Sequence, residues 1–255
     1  MVFDDRRRAE SFGAVGELYD RSRPTYPPEL VDFLVAYEPA RVLDVGCGTG
    51  IAAALFAARG CAVVGVEVDE RMAAIARAKG LEVEVSRFED WDPAGRTFDL
   101  VTAAQSWHWV EPQAGAAKAA SVLGPGGRIG VFWNVGHPPQ RVRERLDPVY
   151  ERLEPGLRSH SVVLGHAEPH AVAGPHLSAL TDSIEFGPTA TEVFPWTMTY
   201  DAASWSERLE TSSDHRILSP ERRERLLEAV RTAIGSIGGS FEMHYDTVLV
   251  TATRK

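Results

Sequence analysis

The sequence predicts an α/β protein organised around a parallel sheet with helices on both faces. Three observations carry that expectation. Between Arg41 and Asn134, short β-branched runs alternate with longer helical stretches, the pattern of strands joined by crossover helices. The helical windows of that stretch end at Gly60, Gly80 and Gly124, where glycine can take positive φ and stop a helix. After Asn134 the rhythm breaks, and no new alternating set appears that could build a second domain.

Taken in order, Pro28 to Tyr37 reads as a helix entered through Pro27-Pro28, since proline is tolerated in a first turn. It is expected to pack across the top of the sheet. Strands are expected at Arg41 to Val45, Ala62 to Glu67, Glu82 to Ser86, Asp99 to Ala103 and Arg128 to Trp133. Helices fill the intervals: Thr49 to Arg59, Glu70 to Lys79 begun by Asp69, and Gln113 to Leu123. Gly, Pro and His content then rises from Gly165 to His170 and again at Gly174-Pro175-His176, between helical windows at Gln140 to Leu153 and Ala202 to Glu210. We read this stretch as a lid-like insertion. Ser219 can cap a helix with Pro220 in its first turn, running to about Ile234. Gly238-Gly239 turns the chain into Phe241 to Thr251, whose alternation fits a strand with one wetter face. One domain is expected, with an N-terminal cap segment at 1–38, a core at 39–134, the insertion at 135–180 and the strands and helices that complete the sheet at 181–255.

Composition narrows the function classes. The 255 residues are 44% hydrophobic and 25% charged, enough to bury a sizeable core. There are 27 basic and 36 acidic residues, a net charge of -9, and the longest basic run is Arg6-Arg7-Arg8. Nucleic acid is therefore not expected as a partner. The longest apolar run, Ile51 to Ala58, is far short of the roughly 20 residues of a membrane span, and no apolar segment follows the charges of the N-terminus. No membrane association and a cytoplasmic location are expected. Cys47 and Cys61 cannot form a framework and no C-x-x-C exists, which suits a reducing compartment. His166 and His170 are spaced like metal ligands, but Pro169 between them disrupts the helix that would align them. No metal is expected.

The strongest local signal is Val42-Leu43-Asp44-Val45-Gly46-Cys47-Gly48-Thr49-Gly50, an apolar strand ending in a glycine loop that opens a helix. Glycines let a backbone approach a ligand closely. The dinucleotide pattern G-x-G-x-x-G would need glycine where Ile51 stands, so a pyrophosphate reading loses. Asp44 would repel a phosphate but attract an ammonium group. Glu67 ends the second strand, where a carboxylate can accept from ribose hydroxyls. The loop is thus expected to take a ligand with a ribose, a cationic amino group and no phosphate.

At this point the sequence resembles the class I S-adenosylmethionine-dependent methyltransferases. The resemblance rests on LDVGCGTG at 43–50, VVGVEVDERM at 63–72, FEDW at 88–91, FDLVTAAQSWHW at 98–109 and LGPGGRIGVFWN at 123–134, while YDRSRPTYP at 19–27 is similar to the trans-aconitate-methyltransferase-like branch, whose substrates are small molecules. It implies a Rossmann-like, seven-stranded, mostly parallel sheet with an antiparallel last strand, Phe241 to Thr251 serving as a hairpin return. The cofactor it implies is S-adenosyl-L-methionine. Carried over residue by residue, Asp44, Gly46, Cys47, Gly48 and Gly50 would line the methionine end and Glu67 would hold the ribose. Val68 and Met72 would press one face of the adenine, with Phe88 and Glu89 at its edge and other face. Ala104 and Gln105 would pass near the methionine moiety through backbone groups. Where many members carry Asp at the end of the second strand, this chain carries Glu67.

Methyl transfer is an in-line displacement that alignment alone can accelerate, without a protein nucleophile. Tyr19 and Tyr26 are candidates to favour the sulfonium by cation–π attraction. The acceptor, a small molecule, is expected beyond the strand ends, walled by Trp107, Trp109, Trp133, Asn134 and His137. His108 is the candidate general base, with a satisfied structural histidine as the competing reading. An alternative function is a non-catalytic S-adenosylmethionine-binding module or sensor, lacking a second cavity onto the methyl group. A nicotinamide oxidoreductase conflicts with Ile51 and Asp44. Monomer and homodimer remain open.

Overall fold

The computed structural model describes residues 15–158 and 177–255. Its strands are β1 (Arg41–Val45), β2 (Ala62–Glu67), β3 (Glu82–Val85), β4 (Phe98–Ala104), β5 (Leu123–His137), β6 (Ala190–Asp201) and β7 (Ser240–Thr253). The helices used below are α1 (Gly16–Ser22), α2 (Pro28–Val35), α3 (Ile51–Ala57), α4 (Glu70–Ala78), α5 (Pro112–Val122), α6 (Gln140–Leu153), α7 (Pro155–Arg158), α8 (Ala202–Glu210), α9 (Ser213–Arg216) and α10 (Pro220–Gly235). One seven-stranded sheet has the order β3-β2-β1-β4-β5-β7-β6. β1 to β5 pair in parallel, and β7 runs antiparallel to both β5 and β6. Strand order reverses between β1 and β4, which opens a crevice beyond their carboxyl ends.

The period-two alternation of β1 feeds two cores. Val42 joins Leu100, Phe132 and Leu249 under Leu30, Val31 and Leu34 of α2 and Phe56 of α3. Leu43 and Val45 join Val101, Ile129 and Trp133 under Ala116, Ala119 and Ala120 of α5. A third core lies where β6 and β7 run past the parallel strands: Tyr200, Phe241, Met243 and Tyr245 pack with Val142, Leu146, Trp205, Leu226 and Val230 of α6, α8 and α10. Burying one such large side chain contributes about 1.5–3 kcal/mol. Among the described residues no helix is long and apolar enough to cross a membrane.

Several expectations are corrected. α2 lies on a face of the sheet, not across its top: a Cβ on Gly130 would meet Leu34 Cδ2 at 3.1 Å. α5 ends without a left-handed glycine, because Leu123 is already extended and leads into β5, and the turn falls to Gly126 at φ +74°. β5 runs past Trp133 to His137 because β7 stays paired with it to His137↔His244. β6, which Pro195 hid, is an edge strand, where a missing N–H is tolerated. β7 is no tight hairpin return, since α8, α9 and α10 separate it from β6. It alternates only from Phe241 to Tyr245 and is buried on both faces from Thr247 to Ala252. Of the predicted insertion, 135–137 finish β5 and α6 packs into the third core. Gly165 to His176 lie outside the described residues.

Candidate functional site

The glycine loop joins β1 to α3, with Gly50 as the N-cap of α3. Gly46 and Gly50 sit at φ +63° and +81°, where side chains are strained. A Cβ on Gly46 would also stand 2.7 Å from Ser106 Cβ, so the loop after β1 touches the loop after β4. Gly46 N–H and Cys47 N–H both donate to Val66 O, at 2.8 and 3.2 Å, which fastens the loop to β2.

Two acids flank this loop. Asp44 is fully buried. Its Oδ1 accepts from Thr102 Oγ1 at 3.1 Å, while Oδ2 has no protein partner. Burial drives its pKa up to about 7, against the hydrogen bonds from Thr102 and the Ala53 backbone. Glu67 is also buried, and its Oε1 accepts from Val68 N and Asp69 N, both at 2.9 Å, and its Oε2 from Gly48 N at 2.8 Å. Burial raises this pKa too, opposed by those three bonds. With one bond on Oε2, Glu67 keeps an acceptor position beside the loop. An orphaned carboxylate oxygen, a second acceptor and a loop whose three glycines leave its backbone open fit a cofactor bearing an ammonium group and a sugar.

The structure sorts the other predicted cofactor residues. Val68 is 40% exposed beside Glu67, and Met72 presses on the loop, its Cε 3.7 Å from where a Gly48 Cβ would stand. Cys47 points the other way: a Cβ on Gly65 would lie 2.5 Å from its Sγ, and burial pushes the thiol up. Only its backbone can line the loop. Phe88 is core, with its ring 6.2 Å from that of Trp107. Glu89 accepts from Glu111 N at 2.8 Å and so braces the start of α5. Ala104 ends β4, and Gln105 follows at φ +57°, a strained backbone at the crevice. Gln105 N–H donates to Phe132 O at 2.9 Å and its side-chain amide to Asn134 O at 3.2 Å. Tyr19 has its ring under the Arg23 guanidinium, 4.5 Å away. Tyr26 is buried edge-on against Phe132 at 4.9 Å.

The predicted acceptor wall mostly dissolves into structure. Trp107 and Trp133 are each 1% exposed core residues. Trp133 Nε1 donates to His108 Nδ1 at 3.3 Å; an indole only donates, so the neutral imidazole carries its proton on Nε2 and its Nδ1 lone pair is engaged by the tryptophan. Trp109 packs its ring 4.9 Å from His108. Asn134 donates to Thr25 O at 2.9 Å and accepts from Thr247 Oγ1 at 2.6 Å, while Thr247 accepts from Trp196 Nε1 at 2.9 Å. That relay staples the segment before α2 to β5, β6 and β7. His137 faces Asp246 at 3.1 Å across the β5–β7 ladder. Sequence reasoning missed Thr102 and Ser106. Thr102 pairs in register with Asp44, a signal visible only once strand order is known. Among the described residues no group of three metal-ligating side chains exists.

Comparisons with known proteins agree with this geometry. A family model described as a methyltransferase domain matches residues 19–147. The chain is 39% identical to an uncharacterised methyltransferase of Mycobacterium tuberculosis over 137 residues, 52% of this chain and 56% of that protein. It is 35% identical to trans-aconitate 2-methyltransferase of Mycolicibacterium gilvum over 92 residues, 35% of each chain. The chain thus spans about half the length of the first of these relatives. A candidate type II methyltransferase from Anaeromyxobacter dehalogenans shares the Rossmann-like fold, with TM-score 0.63 and 22% identity over 91% of this chain and 97% of that one.

Proposed function

The chain belongs to the methyltransferase-domain family, and from that premise we propose that it moves a methyl group from S-adenosyl-L-methionine to a small-molecule acceptor by in-line displacement. The observation that carries the reading is the pair of buried acids on either side of the glycine loop, Asp44 with an orphaned Oδ2 and Glu67 with an acceptor position to spare. The bound cofactor would supply an electrophilic methyl on a sulfonium that leaves as a neutral thioether.

Asp44 would hold the ammonium group and Glu67 a sugar hydroxyl. Val68 and Met72 would border the adenine, while Ala104 and Gln105 border the methionine side through their backbone. Burial of Asp44 strengthens its hold on a cation, since the alternative is a lone carboxylate out of water. Holding acceptor and methyl about 3 Å apart in line supplies several kcal/mol of the barrier. With the Nδ1 of His108 engaged by the Trp133 indole, acceleration in this reading would rest on positioning. The named activity of the trans-aconitate relative supports a small-molecule acceptor. The test is calorimetric titration with S-adenosylhomocysteine followed by a radiolabelled methyl-transfer screen over small acids, phenols and amines. Binding with transfer supports the reading, binding without transfer to any compound favours a sensor, and absence of binding ends it.

A further inference from the structure

Arg208 on α8 is half-buried, and among the described residues no ion pair answers its charge. Its Nη1 donates to Ser212 Oγ at 3.0 Å, and the guanidinium lies near the Tyr245 hydroxyl, which meets the Tyr200 hydroxyl at 2.9 Å. The Nε–H is buried without an acceptor. Glu207, the preceding residue, turns to Arg21 at 3.1 Å, and among the described residues no carboxylate pairs with Arg208. Its charged neighbours are cationic. Arg23, which donates to Thr211 O, has its pKa lowered to about 10 by burial and then by the charge of Arg208. His215 is held down to about 3 by burial and by both arginines. A guanidinium placed among cations and phenols, with one donor unmet, is poised for an anion from outside the chain.

Its position relates it to the cofactor crevice. The segment leading into α2 is pinned from both sides: Arg23 donates to Thr211 O just after α8, Thr25 O accepts from Asn134 of β5, and Tyr26 meets Phe132 edge-on. α1 packs against α4 and against α8, bridging the same two sides. Tyr200 and Tyr245 give the Arg208 side a phenolic wall, backed by Trp205 and Phe241. We propose that Arg208 anchors the acceptor site and that the acceptor carries a carboxylate, forked onto the guanidinium with its body toward the crevice. This rests on the cofactor reading above and names the substrate class for it. A planar fork matches a carboxylate in a way an ammonium does not.

The test is calorimetric titration of the protein loaded with S-adenosylhomocysteine, using a panel of small mono-, di- and tricarboxylates, each beside its neutral amide, with phenyl phosphate as an alternative anion. At least one acid should bind ten times more tightly than its amide. Arg208→Met should weaken that acid at least tenfold, Arg208→Lys less, and both should keep the wild-type affinity for S-adenosylhomocysteine within about twofold, which shows that they fold. Equal binding of acid and amide, no acid binding, tighter binding of phenyl phosphate, or an Arg208→Met protein that binds the acid like wild type would each overturn the proposal. Failure of S-adenosylhomocysteine to bind the wild type would instead remove the cofactor reading beneath it.

Discussion

The two ends of the strand edge are built by opposite means. Around β1 and β2 the chain offers backbone and buried acids: a loop at positive φ, Glu67 accepting three N–H groups and Asp44 with a free oxygen. Around β6, β7 and α8 it offers aromatic rings and cations, with Trp205, Tyr200 and Phe241 behind Arg208 and Tyr245. A cofactor presents the same ammonium and sugar to every enzyme that uses it, so its site can be written in a short run of glycines and acids. An acceptor differs from enzyme to enzyme, and its site is assembled from side chains far apart in sequence. The family match accordingly covers residues 19–147 and ends before α8 begins.

The largest expected effect tests the aromatic end. Trp205 is 1% exposed, with ring centroids 5.0 Å from Tyr200 and 5.3 Å from Phe241. Trp205→Ala should cost about 3–5 kcal/mol in urea unfolding. Where the protein remains folded it should keep its affinity for S-adenosylhomocysteine; a parallel loss would show that the two ends are not separable. Gly46→Ala tests the other end. A left-handed alanine costs roughly 1–2 kcal/mol, and the 2.7 Å approach to Ser106 Cβ adds about 1–3 kcal/mol of overpacking. Here stability and cofactor affinity should fall together. Glu67→Ala should weaken S-adenosylhomocysteine by about 1–3 kcal/mol, the scale of losing a buried polar partner, while acid binding at Arg208 persists.

Asp44 turns the comparison into a pH experiment. Burial lifts its pKa from 3.8 to about 7, so between those values the folded protein holds a proton that the unfolded chain has released. Stability without ligand should therefore fall as pH rises through that window, and Asp44→Asn should remove the fall in thermal melts. An ammonium ligand favours the ionised form, so affinity for S-adenosylhomocysteine should rise by up to about tenfold per pH unit below 7 and then level off. The asparagine variant should lose the rise that ends near pH 7 and keep only what the raised Glu67 carboxyl contributes. A flat wild-type profile would place the ammonium away from Asp44.

Legibility in the sequence followed the same division. β1, β2, β4 and α4 are readable because local patterning and the capping residue Asp69 decide them, and the loop glycines because positive φ favours glycine over residues with a side chain. β6 is not, since Pro195 and a half-exposed edge erase the apolar signal. The burial of Trp107, Trp133 and Asn134, expected at an acceptor wall, is not legible because sequence shows that aromatic residues follow a strand but not which way they turn. Arg208, the proposed anchor, is hidden for the converse reason: on a helix pattern it looks like any exposed arginine, and only the packing of α1 against α8 brings it beside the segment that leads into α2.

The smallest expected effect settles the role of His108, which sits between the two ends. If it were the general base, removing it would lower the rate by about 10²–10⁴-fold. The Trp133 indole already occupies Nδ1 at 3.3 Å, and glutamine can replace that acceptor with its carbonyl oxygen. His108→Gln should therefore change kcat/KM for whichever acceptor the screen identifies by less than about threefold, whereas His108→Leu, which leaves the indole N–H of a buried tryptophan unmet, should cost about 1–3 kcal/mol of stability. A rate loss that both variants share, with stability kept in the glutamine protein, would return the histidine to the chemistry. A stability loss confined to the leucine protein would make it the brace between the loop after β4 and the end of β5.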